Sequence, residues 1–72
     1  MNKVEIRKQP VELYKILKFE GLVGTGGEAK LVIEDGLVTV NGQPEMRKRR
    51  KMLAGDVFIF DGQEYKLVME TS

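Results

Sequence analysis

From Leu37 onward, past Gly36, the apolar residues of this chain change their period from that of a helix to that of a strand, and that change confines the fold to two helices followed by strands, after one short opening strand. Ahead of it, Leu13, Ile16 and Leu17 recur at the i, i+3, i+4 spacing of one helix face, and Ala29, Val32 and Ile33 form a second such stripe. Beyond it, Val38 and Val40 alternate with Thr39, and Tyr65, Leu67 and Met69 share one face of a later strand. A short half-buried strand opens the chain, with Val4 and Ile6 alternating with Lys3, Glu5 and Arg7. Pro10 suits the first turn of the first helix, where its missing N–H costs nothing, and Gly21 stops that helix. The second helix begins near Thr25, because Thr25-Gly26-Gly27-Glu28 fits a capping box in which hydroxyl and carboxylate each accept a backbone N–H. Gly36 stands where a left-handed C-terminal cap is wanted.

Asn41-Gly42 is a strong hairpin signal and Asp61-Gly62 a second. Pro44 belongs at a sheet edge or a strand start, since it has no N–H to donate. Ala54-Gly55-Asp56 turns the chain, and the unbroken Val57–Phe60 run reads as a buried strand. The expected fold is a single α+β domain over residues 1–72, with two packed helices followed by a small antiparallel sheet of three to five short strands.

At 72 residues the chain buries only about 60% of the surface it exposes unfolded, so its core must be compact. It contains neither Cys nor His. Disulfides, thiolate nucleophiles, imidazole bases and the usual zinc sites are thereby excluded. The acidic residues are scattered over faces and turns without evident pairing, so no catalytic or metal-ligating residue is assigned and no enzyme activity is expected. Gly24-Thr25-Gly26-Gly27-Glu28-Ala29 satisfies a loose dinucleotide pattern, but a helix precedes it where that motif needs a strand. Gly21 to Gly26 has the spacing of a phosphate loop and is followed by Gly27-Glu28, not by Lys and a hydroxyl residue. No small-molecule cofactor is expected. The longest apolar run is far short of the roughly 20 residues that cross a bilayer, and no secretory leader opens the chain. A cytoplasmic, non-membrane protein is the expectation, taken as a monomer.

The net charge of +1 conceals an uneven distribution. Residues 1–45 carry six Lys/Arg against seven Asp/Glu, and residues 52–72 carry one lysine against four acids. Residues 46–51, Met-Arg-Lys-Arg-Arg-Lys, hold five cations and no acid. Like charges so crowded repel unless something anionic joins them, so Arg47, Lys48, Arg49, Arg50 and Lys51 are candidates for binding a polyanion, with nucleic acid the prime one. A strand would point alternate cations to opposite faces; a loop would not. Protecting a sheet edge is the plainer role for such a run.

Gly26 and Gly27 fall in the first turn of the second helix, where each costs about 1 kcal/mol relative to alanine. Two explanations stand. The bare backbone N–H groups at the positive helix end can receive a phosphate, or the glycines simply let the loop bend and the helices touch. Lys30 lies about 100° around the helix from Ala29, away from the buried seam. It would join the glycine turn to the basic run, and Lys15 and Lys18 would extend the track. Tyr14 and Phe19 flank those lysines and are read as core or partial-core aromatics, with stacking on a base as the other reading.

Leu13-Tyr14-Lys15-Ile16-Leu17-Lys18 followed by Gly24 to Lys30, then Ile33-x-x-Gly36-x-Val38-x-Val40-Asn41-Gly42 and Gly55-Asp56-Val57, resembles the S4-like RNA-binding domains over about residues 10–60. The Thr-Gly-Gly-Glu-Ala-Lys form is similar to that of small stand-alone bacterial members of the YaaA/YbcJ type. The resemblance implies an αL-type fold that binds structured RNA, ribosomal or transfer RNA foremost. By position Thr25, Lys30 and Asn41-Gly42 match the family's pattern, and Arg47, Lys48, Arg50 and Lys51 fall where the stand-alone members are basic. Joined to the reading of the residues themselves, the expected RNA contacts are Thr25, Gly26, Gly27, Lys30, Asn41, Arg47, Lys48, Arg49, Arg50 and Lys51, with Lys15 and Lys18 as an extension. Gly26 stands where many such domains have Arg, which implies that backbone amides meet phosphate there. Arg49 stands where glycine is common, which adds charge to the loop. Larger relatives fuse the domain to a catalytic module that this chain lacks. The competing class is a protein-interaction module whose basic run docks an acidic partner.

Overall fold

The computed structural model describes residues 2–70, so residues 1, 71 and 72 of the expected domain span lie outside the described ones. The elements run β1 (Asn2–Ile6), β2 (Val11–Glu12), α1 (Leu13–Phe19), α2 (Gly26–Glu34), β3 (Val38–Val40), β4 (Gln43–Pro44), β5 (Lys51–Met52), β6 (Val57–Phe60) and β7 (Gln63–Met69). Five strands form one sheet in the order β1-β7-β6-β3-β4, and β2 pairs with β5 in a second, two-stranded sheet.

Local chemistry sets the turns. Asn41 and Gly42 both have positive φ, 51° and 85°, as a two-residue hairpin turn requires, and Asp61 and Gly62 repeat this between β6 and β7. At the end of α2, Gly36 with φ 76° donates its N–H to Ile33, and Leu37 N–H reaches back to Val32. These two bonds satisfy carbonyls that the helix leaves unpaired. Pro44 lies on β4, an edge strand, opposite Thr39.

The core joins inward residues of the sheet to one face of each helix. Leu13, Ile16 and Leu17 of α1 and Ala29 and Ile33 of α2 are buried with Val38, Phe58 and Leu67 of the sheet. Phe58 and Tyr65 are register partners, and their rings stack with centroids 4.9 Å apart.

Three expectations are corrected. The sheet is mixed, not wholly antiparallel, because β1 runs parallel to β7 from Asn2–Tyr65 to Ile6–Met69. The rest of the chain, helices included, supplies the long crossover that such a pairing needs. Pro10 is not in the first turn of a helix: it follows a cis peptide bond and leads into β2, where Val11 and Glu12 pair with Met52 and Lys51. The Val57–Phe60 strand is buried on one face only, since Phe58 points inward while Ile59 is 38% exposed.

Candidate nucleic-acid interface

The basic run is a loop as far as Arg50, Lys51 opening β5, and its backbone is committed to α1. Leu13 N–H donates to the Arg50 carbonyl at 2.9 Å, and Tyr14 N–H to the Lys48 carbonyl at 3.1 Å. Two of the donors that open a helix without an intrahelical partner are satisfied in this way. Arg50 N–H returns to the Arg47 carbonyl at 3.1 Å, closing a turn through Lys48 and Arg49. The split of charges that a strand would impose does not arise.

Glu45 shapes that turn. Its side chain is only 8% exposed, and its two oxygens accept from Arg47 N–H (3.0 Å), Arg47 Nε (2.9 Å), Arg47 Nη2 (3.1 Å) and Arg50 Nη1 (2.8 Å). The Arg47 side-chain hydrogen bonds hold its carboxyl down to about 2 against the opposing effect of burial, with Arg47 N–H and Arg50 adding to the pull. Its own N–H donates to the Val38 carbonyl at 2.9 Å, which fixes the loop to the sheet. Two more carboxylates touch the turn, with Glu34 3.3 Å from Lys48 and Glu12 3.4 Å from Arg49. Arg47, Arg49, Arg50 and Lys51 line a shallow notch of about 520 Å³.

The tip of α2 is built from a cap. Thr25 Oγ1 accepts from Glu28 N–H at 3.1 Å, and Glu28 Oε1 accepts from Gly24 N–H at 2.6 Å. The reciprocal bond thus reaches one residue further back than the usual capping box. Among the described residues, the N–H groups of Gly26 and Gly27 have no protein acceptor. Neither glycine is required by packing. A Cβ on Gly26 would lie 4.0 Å from Tyr14 Cε2 and Lys18 Cδ, and one on Gly27 3.9 Å from Thr25 Oγ1, both ordinary contacts. The packing explanation for the pair therefore loses its force.

Tyr14 joins tip to turn. Lys30 Nζ lies 4.8 Å, Arg49 Cζ 5.5 Å and Lys15 Nζ 6.0 Å from the centroid of its ring, within the range of cation–π attraction. Gly26 lies beside the ring edge, where a Cβ built on it would be 4.0 Å from Tyr14 Cε2 and also 4.0 Å from Lys18 Cδ. Lys15, Gly26, Lys30 and Arg49 therefore meet around one half-buried aromatic, with Lys18 next to Gly26. Lys30 does leave the buried seam, but it packs on this ring and is half-buried. Phe19, expected in or near the core, is 71% exposed. It stands at the rim of an open groove of about 710 Å³ between β1 and α1, which also takes in Tyr14, Lys18 and Gly26.

Asn41 is held by other partners. Its side-chain amide donates to Asp56 Oδ1 at 3.1 Å and accepts from Val57 N–H at 3.0 Å, tying the β3–β4 turn to the start of β6. Glu45 is the residue that sequence reasoning missed. The available signal was its place as the acid two residues ahead of the first of the five cations. Glu12 and Glu34 carried no such local cue toward the turn, because the turn cations they meet, Arg49 and Lys48, are distant in sequence.

No helix of the described residues is long and apolar enough to cross a membrane. The S4 domain family model matches residues 4–68. The chain is 41% identical over 69 residues to "Putative RNA-binding protein YbcJ" of Escherichia coli, covering 94% of this chain and 99% of that protein. It is 33% identical over 61 residues to "Probable ribosome maturation protein RlbA" of Bacillus subtilis, covering 85% and 86% of the two chains. The solution structure of Escherichia coli YbcJ, described as revealing an αL motif involved in RNA-binding, superposes with a TM-score of 0.71 at 39% identity, covering 94% of this chain and 87% of that one. With the family model spanning nearly the whole sequence and the αL fold shared, this chain belongs to the S4 domain family.

Proposed function

We propose that this protein is a non-catalytic cytoplasmic RNA-binding module that takes structured RNA, ribosomal or transfer RNA, by its phosphate backbone. The observation that carries the proposal is the meeting of Lys30 and Arg49 over the Tyr14 ring, which makes one cationic face of the α2 tip and the basic turn. One phosphate sits against Thr25, Gly26 and Gly27, received by the unpaired amides at the positive end of the helix. Others follow Lys30, Lys48, Arg49 and Lys51, and Lys15 and Lys18 extend the track along α1. Arg47 and Arg50 add charge while anchored to Glu45, and Asn41 contributes by holding its turn. The names of the relatives, one RNA-binding and one in ribosome maturation, support RNA as the partner and favour ribosomal RNA. Few aromatics are available for reading bases, so shape dominates over sequence.

The test is titration of labelled transfer RNA and ribosomal RNA fragments over a range of salt. Engagement of roughly four to six phosphates gives log affinity falling with log salt at a slope of about −3 to −5. Arg49→Gln/Lys51→Gln is the variant to compare, because reversing Arg47 and Arg50 would set new carboxylates against Glu45. A flat salt response, or retention of acidic lysate proteins in place of RNA, would replace the RNA reading with that of a protein-docking module.

A further inference from the structure

Two carboxylates at helix ends beside the cationic face are turned toward cations of the turn. Glu12 occupies the N-cap position of α1, yet its side chain makes no capping hydrogen bond. Its Oε1 lies 3.2 Å from Lys15 Nζ and its Oε2 3.4 Å from Arg49 Nη1. Lys15 first, and Arg49 after it, hold its carboxyl below the usual carboxylate range. Glu34 is the last residue of α2, a helix with no basic residue in its final turn, so its charge opposes the negative end of the helix dipole. It instead meets Lys48 Nζ at 3.3 Å.

These pairs differ in kind from the Glu45 cluster. Glu45 is enclosed and takes four hydrogen bonds of 3.1 Å or less. The Glu12 side chain is 25% exposed and that of Glu34 49%, and each has one long contact to the turn. Exposed pairs of this kind add little to stability. An incoming phosphate can exchange with them.

Resting on the reading that this face binds RNA phosphate, we propose that Glu12 and Glu34 are specificity-determining residues that compete with the ligand for Arg49 and Lys48. A polyanion that reaches only one of the two cations trades one oxyanion for another and gains little. A folded RNA that presents phosphates to both cations, while also reaching Lys30 and the α2 tip, displaces both carboxylates and keeps the remaining contacts. Rejection of generic polyanions is thus built into the resting surface.

The experiment measures the binding of a synthetic RNA hairpin, and of heparin, to Glu12→Gln and Glu34→Gln. Glu64→Gln on β7 is the control, since it makes the same change of charge at a residue without a cation partner among the described residues. Each guard variant is expected to bind heparin about two- to fivefold more tightly than the control, with a smaller gain on the hairpin. The heparin salt slope is expected to steepen by about 0.7 to 0.9 per carboxylate removed, because each freed cation neutralises one more heparin anion and releases the counterion condensed there. In a Lys48→Met background the gain from Glu34→Gln is expected to vanish, which a long-range charge effect would not do. Thermal melts are expected to coincide. If the wild type binds RNA and the guard variants only match Glu64→Gln, or if the gain survives Lys48→Met, the competition is overturned and RNA binding stands. A wild type with no affinity for the hairpin, transfer RNA or ribosomal RNA at low salt overturns the functional reading itself.

Discussion

At the tip of α2 the unpaired donors are backbone amides set by a Thr–Glu cap, whereas in the 47–51 turn the donors are side chains set by one enclosed carboxylate. The tip's donors survive the loss of any single side chain beyond the cap, and salt cannot screen their direction. The turn concentrates more charge but has most of it paired, since Arg47, Lys48, Arg49 and Arg50 each contact a glutamate. Orientation at one end and charge at the other is a division of labour, and Tyr14 lies where the two meet.

The largest disruption of this balance is expected from Glu45. Glu45→Ala leaves two guanidinium groups without their shared acceptor and is expected to cost about 2–3 kcal/mol of stability, read by urea unfolding. RNA affinity should fall more than about tenfold while the Thr25–Gly27 amide resonances stay in place. The same residue gives a pH test. Its folded pKa, about 2, lies below the ordinary carboxylate value of 4.5, so its contribution is complete above pH 4.5 and drains away as the pH falls toward 2. Wild-type protein should therefore lose stability across that window more steeply than Glu45→Gln, measured by thermal melting in a pH series.

Next in size is the charge of the turn. Arg49→Gln/Lys51→Gln is expected to lower RNA affinity about tenfold and to make the salt slope shallower by nearly two units, with melting unchanged. Gly26→Ala sharpens the comparison from the other end. The added methyl has room, so stability should hold or rise by up to about 1 kcal/mol while RNA affinity drops about three- to tenfold. The salt slope should barely move, because an amide contact releases few counterions. The smallest effect is expected from Tyr14→Leu, which keeps apolar bulk but removes the ring under Lys30 and Arg49. RNA affinity should fall about two- to fivefold, and the effects of Gly26→Ala and Arg49→Gln should become more nearly additive.

Much of this architecture could be read from short stretches of sequence. Asn41-Gly42 and Asp61-Gly62 specify their turns because two neighbouring residues must both adopt positive φ, and few residue pairs do so readily. Thr25 and Glu28 specify the α2 start for a similarly local reason. The pairing of β1 with β7 was not legible, because alternation reveals that Val4 and Ile6 share a face but not which strand, or which direction, lies alongside. Pro10 was misplaced because the two residues after it were claimed by β5, forty residues away in sequence.

At the site, the cations and the glycine turn were legible as types, and their meeting was an expectation that the contacts around Tyr14 meet. The acids that hold or occupy the cations were not. Net charge by segment counted Glu12, Glu34 and Glu45 with the neutral body of the chain, whereas the fold sets all three against the turn. Phe19 and Ile59 were placed inside for their hydrophobicity, yet a chain this small has too little interior for every apolar side chain.

The most direct measurement follows backbone amides and arginine side-chain N–H groups by heteronuclear NMR during titration with a transfer RNA or a ribosomal RNA hairpin. Gly26, Gly27 and Lys30 amides and the Arg49 Nε–H are expected to shift together, with one shared midpoint. Movement confined to the arginines, with Gly26 and Gly27 unchanged at saturation, would contradict a single surface spanning tip and turn.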